Sequence, residues 1–101
     1  MTDYPIPLTV STLPDNAEAL IEACIAAENL TVTLKGTLKQ YPGCVHWHLK
    51  QGSAPGTLEL TLWRTKNRLW FKVNAARRAD WMDAARVRLQ NAIVAALDSG
   101  I

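Results

Sequence analysis

The sequence predicts an α+β domain in the order α-β-β-β-β-α, a four-stranded antiparallel meander with two helices packed on one face and the other face open. Three observations lead there. Between residues 31 and 75, apolar and polar residues alternate with period two in four runs, the pattern of half-buried strands. Stretches of helical periodicity flank these runs on both sides. With 101 residues and 49% hydrophobic content, the chain suffices for one domain with its own core.

Residues 1–14 contain Pro5, Pro7 and Pro14, so an extended N-terminal segment is expected ahead of a single domain over 15–101. Tyr4, Ile6, Leu8 and Val10 alternate, which leaves an edge strand open there. The first helix is expected to start at Asp15, with Glu18 at the capping-box spacing, or at Thr12 with Asp15, and to run to residue 28. Its apolar face reads Ala17, Leu20, Ala23, Cys24 and Ala27, with Glu18 and Glu22 opposite. The second helix follows a lead over 74–79, carries Asp80 and Asp83 near its start, where carboxylates suit the dipole, and closes at Gly100. Trp81, Met82, Ala85, Leu89, Ala92, Ile93, Ala96 and Leu97 form its inward stripe. Val87 and Val94 fall on the other side and offer a helix-mediated dimer contact.

In the first strand Val32, Leu34 and Leu38 share a face with Gly36. Val45, Trp47 and Leu49, then Leu58, Leu60 and Leu62, then Leu69, Phe71 and Val73 point inward in the others. Matching inward residues across the turns sets a register. Leu38 then meets Val45, and Gly36 lies beneath Trp47. Across the middle hairpin Trp47 meets Leu60, His48 meets Glu59, His46 meets Thr61 and Cys44 meets Trp63. Across the last, Leu62 meets Phe71, Leu60 meets Val73 and Trp63 meets Trp70. The turns are Tyr41-Pro42-Gly43, with either Pro42 isomer open, then Gln51 to Gly56, then Lys66-Asn67, which can widen to Thr65 through Arg68. The outer face reads Lys35-His48-Glu59-Asn74, then Thr37-His46-Thr61-Lys72, then Lys39-Cys44-Trp63-Trp70.

Net charge is only +2 but unevenly placed: the first thirty residues hold five acids and no Lys or Arg, whereas residues 31–75 hold seven bases and a single acid, Glu59. That asymmetry bears on partners more than on fold. No run approaches the roughly eighteen apolar residues of a membrane span, and no basic stretch precedes an apolar one at the N-terminus, so a cytoplasmic location without membrane association is expected. Cys24 and Cys44 are expected to lie apart and unpaired.

Two tryptophans paired on a polar sheet face need a physical reason. Cover by a terminal segment or a second subunit supplies one, and a homodimer is expected on that ground. A ligand platform supplies another: Trp63 and Trp70 set among Lys35, Lys39, Lys50, Arg68 and Lys72 offer rings for bases and cations for phosphates. The expected function is a small non-enzymatic binding module whose basic, Trp-bearing face engages single-stranded nucleic acid or a protein partner. A second class is metal binding, since His46 and His48 project outward from one strand about 7 Å apart, with Glu59 or Cys44 to complete a site. The plainer reading of the same residues, and the favoured one, is a cross-strand ion pair of His48 with Glu59. A third is a structural subunit that dimerises through the sheet face. There is no phosphate-binding Gly loop, dinucleotide fingerprint or nucleophile elbow, so no cofactor is expected and binding is favoured over catalysis.

Overall fold

The alternating runs become strands, and a fifth strand joins them from the N-terminal segment. The computed structural model describes residues 2–74 and 78–99. In chain order the elements are β1 (Thr2–Pro5), α1 (Ala17–Ala27), β2 (Thr31–Gly36), β3 (Val45–Lys50), β4 (Leu58–Trp63), β5 (Arg68–Val73) and α2 (Trp81–Ser99). The fold is α+β, with one antiparallel sheet in the order β1-β5-β4-β3-β2. The expected four strands are thus corrected to five. Thr2 through Pro5 pair with Val73 through Trp70, and the Ile6 N–H donates to Leu69 O at 2.9 Å to continue the ladder. An edge strand tolerates Pro5 because half of its N–H groups have no ladder partner in any case. No helix among the described residues is long and apolar enough to cross a membrane.

Both helices pack on one side of the sheet. Trp47 and Leu49 of β3, Leu58, Leu60 and Leu62 of β4, and Leu69, Phe71 and Val73 of β5 form a continuous core with Ile21 and Ile25 of α1 and Met82, Ala85, Leu89, Ile93 and Leu97 of α2. The inward residues of β3, β4 and β5 are those the alternation predicts. The stripe of α2 is also as read, with Trp81, Ala92 and Ala96 at its half-buried margins. Val94 packs against the core while Val87 is exposed, so the two valines do not share a free face. Residues 75–77 and Gly100 lie outside the described residues.

The stripe of α1 departs from its reading. Ala17, Ile21 and Ile25 are buried, Leu20 and Cys24 are half-buried, and Ala23 and Ala27 are exposed. Turning the two isoleucines inward removes more apolar area from water than turning alanines. The capping box does not form either. Asn16 stands at the N-cap without a side-chain bond, Pro14 O accepts from the Ala17 N–H, and Glu18 reaches across to β2.

Register agrees with the sequence reading in one hairpin of three. β3 and β4 pair as expected, with Trp47 opposite Leu60, His48 opposite Glu59 and His46 opposite Thr61. Between β4 and β5 the pairing is displaced by two residues: Leu60 opposes Phe71, Leu58 opposes Val73, Thr61 opposes Trp70, and Trp63 opposes Arg68. The loop is four residues, a 3-10 turn over Arg64–Lys66 closed by Asn67 in the left-handed region at φ 52°. Asn adopts that conformation more readily than other residues with a side chain. Between β2 and β3 the register breaks between Val32 and Leu34, where Thr33 forms a bulge. One extra residue reverses the alternation. Beyond the bulge Lys35, not Gly36, opposes Trp47, and Gly36 opposes His46. The expected Trp-over-Gly contact is therefore absent.

Candidate functional site

Cross-strand partners share a face, so the observed register rewrites the outer surface. One row runs Asp3, Lys72, Glu59, His48 and Leu34 from β1 to β2, and the next runs Pro5, Trp70, Thr61, His46 and Gly36. In the row beyond, Trp63 opposes Arg68.

The tryptophan end of this face is closed by the chain itself. Tyr41 N–H donates to Leu38 O and Cys44 N–H to Tyr41 O, two successive turns completed by Gly43 at φ 83°. They fold the segment between β2 and β3 back over the sheet. The Tyr41 ring centroid lies 5.0 Å from both Trp63 and Trp70. Trp63 Nε1 donates to Pro42 O at 3.0 Å, and the Leu38 N–H donates to Cys44 Sγ at 3.3 Å. The Arg68 guanidinium stands 4.9 Å from the Trp70 ring centroid. Trp70 is left 4% exposed. Trp70 is covered and Trp63 half-buried, and an internal loop supplies the cover. Pro42 is trans.

The basic residues do not line up. Lys72 and Arg68 are on the outer face, Lys50 is at the end of β3 opposite Thr31, and Lys39 is exposed in the covering loop. Lys35 is on the helix side. The bulge turns it there, and it forms ion pairs with Glu18 at 2.5 Å and Glu22 at 2.6 Å on α1. Glu22 also accepts from Trp47 Nε1 at 3.0 Å. The bonds from Lys35 and Trp47 hold the Glu22 carboxyl below its ordinary range.

At the other end of the face His46, His48 and Glu59 converge. One ligand atom from each lies within 4.8 Å of the others, and among the described residues they are the one such group. His46 Nε2 is 3.1 Å from His48 Nε2 and 3.3 Å from Glu59 Oε1, and His48 Nε2 is 3.9 Å from the same oxygen. His46 Nδ1 contacts Thr61 Oγ1 at 2.8 Å. Burial, with the charges of His48 and Lys72, pushes the His46 imidazole below its ordinary value, against the charge and hydrogen bond of Glu59, which raise it. If Nδ1–H is donated to Thr61, the Nε2 lone pair of a neutral imidazole faces Glu59 and His48, the arrangement in which Nε2 can ligate a metal. Cys44 does not join the group: its thiol is buried under the covering loop as the acceptor for Leu38.

Placing Glu59 beside the histidines needs only the middle hairpin and was legible in the sequence. Placing Lys72 beside Glu59 was not, because it depends on the length of the last loop. The available signal was Asn67, whose tolerance of the left-handed region favours a loop ending there. Comparison with known proteins finds no matching family model, no matching curated protein and no matching solved structure.

Proposed function

We propose that the protein is a metal-binding module whose centre is His46, His48 and Glu59, with a divalent cation of the Zn²⁺ class as its ligand. The observation that carries this reading is the spacing of the three donor atoms, at 3.1, 3.3 and 3.9 Å. Two ligands each about 2.0–2.1 Å from a tetrahedral ion stand about 3.3 Å apart, so the trio approximates one face of a coordination tetrahedron. Two imidazoles and one carboxylate suit a borderline cation better than Ca²⁺ or Mg²⁺, which take oxygen. The Thr61 hydroxyl behind His46 serves as the outer partner that fixes ring orientation.

A single-stranded nucleic-acid platform has less to stand on. Tyr41 and Arg68 already occupy Trp70, and Lys35 is neutralised against α1 on the far side of the sheet. Titration of untagged protein with Zn²⁺ and Co²⁺ tests the metal reading. The expected outcome is one ion per chain, with His46→Ala, His48→Ala and Glu59→Gln each weakening binding at least about tenfold. Equal, weak binding by the parent and by the His46→Ala/His48→Ala double variant would overturn it.

A further inference from the structure

Three protein donors leave such an ion at least one open position, and the surroundings of that position are uneven. On the β5 side stands Lys72, the cross-strand neighbour of Glu59. It is half-buried and has a carboxylate at each cross-strand position, Asp3 and Glu59. Among the described residues it forms an ion pair with neither. On the β2 side Gly36 faces His46, and a β-carbon there would meet nothing within 4 Å. Leu34, beside His48, is 48% exposed. The β2 side thus carries no side chain opposite His46, and β5 flanks the centre with a cation.

A lysine next to a metal centre repels the ion it adjoins, and the arrangement becomes favourable when an anion lies between the two positive charges. Resting on the metal reading above, we infer that the open position of the His46/His48/Glu59 centre takes a small oxyanion, a carboxylate or a phosphate, with one oxygen on the metal and another on the Lys72 ammonium. Lys72 is a binding residue in this arrangement and takes no part in holding the metal.

The visible spectrum of the Co²⁺-loaded protein reports on both events separately. Acetate and inorganic phosphate are the probes, titrated into wild type, Lys72→Met and Lys72→Arg, each first checked for an unchanged melting curve. In the wild type at least one probe shifts the Co²⁺ bands; Lys72→Met weakens that response about tenfold, and Lys72→Arg retains it, as loss and retention of one charge-assisted contact require. Response to acetate alone assigns a carboxylate, and response to phosphate alone assigns a phosphate. Co²⁺ remains bound one to a chain in all three proteins. Retained Co²⁺ with no spectral response, or with equal anion affinity in wild type and Lys72→Met, overturns the oxyanion while leaving the metal. Failure of the wild type to bind Co²⁺ overturns the metal reading and the oxyanion with it.

Discussion

Trp70 illustrates how one side chain's role depends on what lies across from it. On an open face it would be a stacking surface, and its removal would leave stability nearly unchanged. Here it is 4% exposed, against Tyr41 and Arg68, and forms a small second core on the outer side of the sheet. Trp70→Ala is expected to cost about 3 kcal/mol, toward the lower end for a buried aromatic because the overlying loop can settle into part of the space. Chemical denaturation measures it. A change near zero would mean that Tyr41 and its loop do not cover the tryptophan in solution. His46 is a second case. Its burial would be a plain cost for a charged imidazole, but it shifts the ring toward the neutral form, the one that can ligate.

At the scale of elements, the bulge at Thr33 in β2 does the most work. It turns Lys35 toward α1, where Glu18 and Glu22 receive it, and brings Gly36 and Leu34 to the outer face beside the histidines. Edge strands are where such a bulge is tolerated, and it also makes the exposed edge a poor template for further pairing. The link between β2, β3 and α1 converges on Glu22, whose carboxyl titrates below its ordinary value near 4.5. A lowered carboxyl pKa contributes stability that is present above the unfolded value and is lost as pH falls through the folded one. Glu22→Gln is therefore expected to lower the denaturation midpoint at neutral pH, with the gap from wild type narrowing below about pH 4.5 and closing at lower pH. The groups are partly exposed, so the gap should also shrink with added salt. A gap independent of pH would show that Glu22 acts through packing and not through its charge.

For the whole molecule, His46, His48 and Glu59 join β3 to β4 in the middle of a five-stranded sheet, so a metal held there would link occupancy to folding. A ligand that binds only the folded chain at a hundredfold excess over its Kd adds about 2.7 kcal/mol. In a domain of this size that raises Tm by on the order of 10 °C. Thermal melts with and without Zn²⁺ should show the rise in the wild type and a rise about half as large or smaller in Glu59→Gln. A rise of equal size in both would place the ion elsewhere.

The sequence alone determined the class of fold, the inward residues of β3, β4 and β5, the stripe of α2, and the pairing that sets His48 against Glu59 and His46 against Thr61. Side-chain direction in a strand has period two, and helical burial repeats every 3.6 residues, so both can be read from a string of residues. Period two has a matching blind spot. A register shift of two residues preserves every inward position, so Leu60 opposite Phe71 and Leu62 opposite Phe71 look equally good in the sequence. Only the Arg64–Asn67 loop distinguishes them, and with it the neighbours of Lys72 and Trp70. A bulge adds the opposite difficulty, since one inserted residue reverses a face without changing composition, as in Thr33 before Lys35. The cover of Tyr41 over Trp63 and Trp70 joins residues from separate hairpins and has no periodic signature. Local periodicity therefore specified which residues of β3, β4, β5 and α2 face inward, and long-range closure of the sheet decided which outward residues meet.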